Sequence, residues 1–165
     1  MKKTSQVILT EILLLLCVVA CHNSSTTGNT LRPAPDFSLT DLSGHPLHLS
    51  DYRGKVVILD FWATWCEPCK EEIPHLIDLR NRYSAQGVEV LGISMDDDDK
   101  PVRAFQQKYQ MNYPVAVGTS SLADQYGGVL GLPITFVIDR QGRIAAKHIG
   151  ATKAEVFETE VKKLL

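Results

Sequence analysis

The sequence predicts a single α/β domain built on a mixed β-sheet flanked by helices. Three observations carry that expectation. "KVVILDFW" and "GVEVLGIS" are near-continuous apolar, β-branched runs, the pattern of strands buried on both faces, and a segment with helical apolar spacing lies between them. A strand, a helix and a second buried strand in that order form a βαβ unit, so these two strands run parallel. Nearer the C-terminus, "PITFVID" and "RIAAKHIG" flank the turn residues "RQG", which reads as an antiparallel pair and makes the sheet mixed.

The 165 residues, 44% of them hydrophobic, suit one domain with a substantial core. A formal net charge of -2, with no basic cluster interleaved with aromatics, excludes a nucleic-acid binder, and no internal period repeats. The N-terminus is set apart from the fold. "MKK" followed by the apolar run Ile12 to Ala20 has the parts of an export signal and falls well short of the ~20 residues of a spanning helix. The run closes on "VVAC", Val18 to Cys21, which resembles the lipobox of bacterial lipoproteins. That resemblance implies a lipoprotein signal peptide over residues 1–20, acylation of Cys21, and a bacterial envelope protein lipid-anchored to a membrane and facing the periplasm or extracytoplasmic space. The polar "HNSSTTGNTLRPAP" then reads as a tether, so residues 21–35 are expected to be the acylated cysteine and a flexible linker, and 36–165 the folded domain.

The elements follow in order. "FSL" and "LHL" alternate apolar and polar around Gly44 and read as a hairpin. "KVVILDFW" is the first buried strand. Glu67 to Gln86 places Ile73, Leu76, Ile77, Leu79 and Tyr83 at helical spacing, and Gly87 turns the chain into the second. "DDDDKP" reads as a helix start, with Pro101 as first helical residue because its missing N–H is unpaired there anyway, rather than as a metal ligand set; that helix runs to Tyr109. "PVAVG" is a short strand, "SLADQYG" a short helix, and Lys153 to Leu165 a closing helix.

Chemistry concentrates in "FWATWCEPCKEEIP", where Cys66 and Cys69 stand at the handover from strand to helix. A closed zinc site needs four ligands, and only one C-x-x-C pair is present, with His45, His48, His75 and His148 scattered; no metal is expected. A purely structural disulfide here closes too small a loop to restrain the unfolded chain. Thiol–disulfide exchange is the reading left. Cys66, at the helix start, has a thiolate stabilised by unpaired N–H groups and the dipole and is the expected nucleophile; Cys69, one turn inward, resolves the mixed disulfide. Pro68 in the first turn costs no backbone bond, whereas Pro74 lies inside the helix and removes the bond to the Lys70 carbonyl. The carboxylate of Glu67, between the thiols, opposes thiolate formation and makes the pair reducing. Trp62 reads as core and Trp65 as a partly exposed contact. Asp60, between Leu59 and Phe61, and Glu72, three residues beyond Cys69, are the candidate proton acceptors.

"DFWATWCEPCKEEIP", "GVEVLGISMD" and "GLPITFVIDRQGRI", in that order, resemble the thioredoxin superfamily. The C-E-P-C, the following "EEIP" and the N-terminal hairpin are most similar to the membrane-tethered ResA and TlpA group of bacterial thiol-disulfide oxidoreductases. The resemblance covers Ala34 to the C-terminus. It implies a thioredoxin fold with an N-terminal β-hairpin and a βα insertion, a cis Pro133 facing the cysteine pair, and substrate contacts at Trp65, Glu67, Pro68 and Leu132. Glu72 matches the group's acid near the thiols, with Asp60 as a deeper partner; Asp60 is a departure, because ResA-like members often carry an uncharged residue there. The implied protein is a monomer without a cofactor beyond its own cysteine pair. Its partners are disulfide-bearing envelope proteins, with apocytochrome c as one client, and a membrane thiol-disulfide electron donor.

Two other readings start from the same residues. "APDFSLTDLSGHPLHLSDYRGKVVILDF" also resembles the opening of peroxiredoxins, but their P-x-x-x-T-x-x-C pattern falls here on Leu59 and Ala63. A copper chaperone of the Sco type spaces its cysteines C-x-x-x-C, one residue more than here, and His148 would have to serve as third ligand.

Overall fold

The computed structural model describes residues 31–165 except Val129; the expected signal peptide, Cys21 and residues 22–30 of the expected tether lie outside the described residues. β3 (Val56–Trp62) is the central strand of a five-stranded sheet, with two strands on each side of it. It pairs in parallel with β4 (Val88–Ser94), which pairs in parallel with β5 (Val115–Val117). On its other side it pairs antiparallel with β6 (Ile134–Ile138), and β6 with β7 (Ile144–Ile149). A separate hairpin, β1 (Ser38–Thr40) and β2 (Pro46–His48), turns through Gly44, whose φ of +86° only glycine adopts readily.

Every residue of β3 and β4 is buried, as their apolar runs require, because each face of the sheet is covered. Val56, Ile58 and Trp62 face the helices α1 (Glu67–Tyr83), α2 (Asp99–Tyr109) and α4 (Ala154–Leu164), and they pack with Ile73, Leu76, Phe105 and Phe157. Val57, Leu59 and Phe61 face the opposite layer, where β2 contributes Leu47 and the short helix α3 (Ser120–Gln125) contributes Leu122. Alternation along β3 therefore puts Asp60 on the same face as Trp62, in the layer of α1.

Three boundaries differ from expectation. The domain starts before residue 36: Ala34 is buried, its N–H donates to Gly142 O at 3.0 Å, Ile144 N–H donates to Arg32 O at 2.9 Å, and Tyr126 hydroxyl donates to Pro35 O at 2.6 Å. A polar, proline-containing composition concealed this edge pairing, because backbone groups rather than side chains make it. α2 begins at Asp99, capped by the Asp98 carboxylate accepting from Lys100 N–H at 3.1 Å, so Pro101 is its third residue rather than its first. α1 ends at Tyr83, and Ser84–Gln86 tighten into a 3-10 turn before the left-handed Gly87.

Candidate active site

Cys66 is the N-cap of α1, with extended backbone at φ -85° and ψ 107°, and its sulfur accepts from Cys69 N–H at 3.2 Å. The two cysteines are joined by a disulfide with a Cα–Cα distance of 5.4 Å. Cys69 is fully buried and Cys66 is 4% exposed, so what access the pair has lies on the Cys66 side. Trp65, one residue earlier, stands out at 69% exposure, whereas Trp62 is wholly buried. Glu67 Oε2 accepts from Lys70 Nζ at 2.7 Å on the helix surface. That pairing offsets part of the negative charge beside the thiols, which the sequence reading had left unopposed.

The loop between β3 and α1 is held by a residue that sequence reasoning assigned elsewhere. Asp96, first of the aspartate run read as a helix start, is buried and belongs to the strand end instead. Its Oδ2 accepts from Thr64 N–H at 2.9 Å and from Ser94 Oγ at 2.7 Å, and its Oδ1 accepts from Thr64 Oγ1 at 2.6 Å. A signal for it existed: it lies just past the carboxyl end of a parallel strand beside another, the edge at which open α/β sheets build sites.

The strand and the helix that flank the cysteines each carry a buried carboxyl group, Asp60 on β3 and Glu72 on α1. Asp60 and Glu72 are each 1% exposed. Thr135 on β6, cross-strand partner of Asp60, sets its hydroxyl between them, 2.7 Å from Glu72 Oε1 and 3.3 Å from Asp60 Oδ1. Glu72 Oε2 accepts from Thr152 N–H at 2.6 Å. Neither threonine was singled out by the sequence, because each arrives from a distant strand end. Burial raises the pKa of Asp60 well above the ordinary carboxyl value, and the nearby Glu72 charge adds to the rise; the Thr135 hydroxyl opposes it. Burial also raises Glu72, against the hydrogen bonds of Thr135 and Thr152 and the influence of His148 and His75.

A hydroxyl has one proton to give. Thr135 donates it over the shorter bond to Glu72, which also receives Thr152 N–H, so Glu72 holds two donors and ionises first. Asp60 has only the longer bond to that hydroxyl and is the more deeply buried, so it holds its proton the more firmly; the two acids titrate as a pair. Glu72 also lines a small cavity of about 250 Å³ with Glu71, His75, Ala151, Thr152 and Lys153. Asp60 lines no such opening among the described cavities.

The Leu132–Pro133 peptide bond is cis, and Pro133 O accepts from Gly150 N–H at 2.8 Å. A groove of about 520 Å³ is lined by Trp65, the residue before Cys66, and by Leu132, the residue before Pro133, together with Met95, Ala123 and Leu130. Pro68 lies in the first turn of α1, and Glu67 is its first residue. Among the described residues, no three His, Cys, Asp or Glu side chains converge as a metal cluster.

Comparison with known proteins agrees with this geometry. The AhpC/TSA family matches residues 30–147. ResA, a thiol-disulfide oxidoreductase of Bacillus thuringiensis, is 36% identical over 133 residues, 81% of this chain and 77% of that protein. ResA of Geobacillus kaustophilus is 34% identical over 172 residues, 99% of each chain. The crystal structure of a thiol:disulfide interchange protein of the thioredoxin family from Chlorobium tepidum superposes with a TM-score of 0.77 at 29% identity, covering 84% of this chain and 99% of that one.

Proposed function

We propose that this chain, which belongs to the AhpC/TSA family and is a thiol-disulfide oxidoreductase of thioredoxin fold, works in the reducing direction on protein disulfides outside the cytoplasm. The observation that carries the reading is the Cys66–Cys69 disulfide at the start of α1, with a buried carboxyl group on the strand before it and another on the helix itself.

In the reduced enzyme the Cys66 thiolate attacks one sulfur of a client disulfide. A Cys66–client bond forms and the client's other sulfur leaves as a thiolate that takes a proton. Cys69 then loses its proton to the carboxyl pair and attacks the Cys66 sulfur. The internal disulfide forms, and the second client sulfur leaves and is protonated. Two electrons have passed to the client, and of the two protons it takes up, one is that of Cys69, handed on by the carboxyl pair, and the other comes from solvent, because Cys66 began as the thiolate. A membrane thiol donor must return the electrons, because an extracytoplasmic setting does not supply them. Glu72 is the acid that sets thiol reactivity, supported by its two donors and its cavity, and Asp60 is its deeper partner. Pro133, Leu132 and Trp65 hold the client strand beside Cys66, with the apolar groove taking residues that flank its cysteine, and Glu67 and Pro68 form the rim. Apocytochrome c awaiting haem is a client that suits a reductase in that compartment.

The lipobox-like "VVAC" supports anchoring through acylated Cys21, with the domain held at the membrane surface. Cys21→Ala should then release the protein into the soluble envelope fraction; retention after a high-salt wash refutes the anchor. The central experiment is trapping in cells. Cys69→Ser should leave Cys66 joined to its clients, for no resolving thiol remains. If Cys66→Ser captures the same species equally well, the roles of the two cysteines are assigned wrongly.

A further inference from the structure

A second ionisable pair stands beside the carboxyl groups, on the far side of Thr135. His148 on β7 is the register partner of Thr135 on β6, as Thr135 is that of Asp60 on β3. The three side chains therefore form one row across the sheet, on the face covered by α1 and α4. Directly opposite side chains stand about 5 Å apart at Cβ, and the Thr135 hydroxyl is itself 2.7 Å from Glu72 Oε1, which brings the imidazole toward that carboxyl. The ring is fixed from α4. Its Nε2 lies 2.9 Å from Glu160 Oε2, and Phe157 meets it edge-on at a centroid distance of 5.4 Å. A carboxylate can only accept, so Nε2–H donates to Glu160, and Nδ1 is left to take or release the proton that makes the ring a cation. Both side chains are largely sheltered, His148 at 20% exposure and Glu160 at 24%. The thiol exchange itself gives this pair no task.

We propose that His148, clamped between Glu160 and Phe157, is a positioning residue that supplies a cation to Glu72 in acid and so keeps that carboxyl ionised. The sign follows from two opposed titrations. A carboxyl loses its charge as pH falls, and an imidazole gains one. A positive charge beside Glu72 favours its anion, so the ring resists the protonation that burial promotes. Burial raises the Glu72 pKa, while the Thr135 and Thr152 hydrogen bonds, then His148, then His75, pull it down. The other groups facing Glu72 do not replace the ring. Asp60 on β3 adds a like charge whenever it ionises, and Tyr113, from the segment before β5, is kept neutral by burial and by the charges of Asp60 and Glu72. Glu71, His75 and Lys153 stand exposed around the cavity, where solvent screens them. On the α4 side, Lys163 shares two surface hollows with Glu160.

The inference rests on the proposed role of Glu72 in setting thiol reactivity, and two readouts keep the two claims apart. In the full chain, the infrared carbonyl bands of protonated Glu72 and Asp60, identified by their loss in Glu72→Gln and Asp60→Asn, are followed across pH. The rate at which the dithiol form reduces insulin disulfides is followed over the same range. His148→Gln removes the cation and keeps a neutral polar side chain. The midpoint of the Glu72 band should move up by about half a pH unit, and the rising limb of reduction should follow it, a roughly threefold loss of rate below the midpoint. His148→Lys places a permanent cation beside Glu160 and should bring both readouts to the wild-type values or below them. An unchanged Glu72 midpoint in His148→Gln overturns the proposal, as does a midpoint raised as far in His148→Lys as in His148→Gln. A Glu72 midpoint that moves in His148→Gln while the reduction profile stays supports the task given to His148 and refutes the role given to Glu72.

Discussion

Asp60→Asn should make the oxidised protein more stable at neutral and alkaline pH and leave it almost unchanged in acid. The substitution conserves shape, and the amide can donate to Thr135 Oγ1, so Thr135 still donates to Glu72 at 2.7 Å. What it removes is a titration. Asp60 has a folded pKa raised well above 3.8 by burial and by the Glu72 charge, so the folded state binds a proton that the unfolded chain releases. The contribution of Asp60 is fully present below the unfolded pKa and is lost as pH rises through the folded one. Each unit of separation between the two values costs about 1.4 kcal/mol of stability once the pH exceeds both. The variant escapes that loss. Glu72, raised above 4.5, acts in the same sense and should leave a shallower residual decline. Urea unfolding of oxidised wild type and variant at several values between about pH 4 and about pH 9 reads the difference directly. Parallel curves across that range would show that Asp60 is not protonated in the fold, and the assignment of the pair would fail with it.

Glu72→Gln should shift the pH dependence of Cys66 alkylation and slow turnover more than Asp60→Asn, because Glu72 carries both donors and meets the cavity; the reverse order, read from initial rates, would favour proton transfer through Asp60. Asp96→Ala takes the acceptor from Thr64 N–H and from the Thr64 and Ser94 hydroxyls, at a cost of about 1–3 kcal/mol in thermal unfolding and with slower client reduction. The dithiol potential, measured against glutathione, should lie nearer ~-270 mV than ~-120 mV, and a value above about -180 mV would overturn the reducing direction.

The sheet was legible because its strands obey rules local to themselves. β3 and β4 are apolar throughout since both faces are covered, the helix between them forces them parallel, and the Gly142 turn, with φ +75°, closes β6 onto β7. The cysteines were legible for the same reason, since a two-residue spacing at a strand-to-helix junction places Cys66 on the cap whatever the rest of the chain does. Asp60 and Glu72 were found by neighbourhood within their own elements. Thr135, Thr152, Asp96 and Tyr113 were not, and they share a cause. Each reaches the site only through pairing across the sheet, in which β6 lies against β3 and the segment before β5 lies against β4. No spacing in one sequence records that register.

What the register adds is asymmetry between two acids that look alike in the sequence. Placed on β3 and α1 and facing one hydroxyl, they could have shared it equally. The chain instead gives Glu72 a second donor from the turn after β7 and a cavity edged by His75 and Lys153, and gives Asp60 a deeper position with an oxygen that no protein group meets. Such an arrangement separates two tasks. The inner carboxyl, raised well above its ordinary range by burial, holds its proton the more firmly of the two. The outer carboxyl, at the cavity, exchanges its proton with solvent and resets the pair between turnovers. If that division holds, Lys153→Glu at the cavity edge should raise the Glu72 pKa through like charge and move the pH profile of client reduction upward, while the Asp60 carbonyl band stays where it is. Movement of the Asp60 band by the same change would mean that the two acids respond as one group, and the separation of tasks would have to be given up.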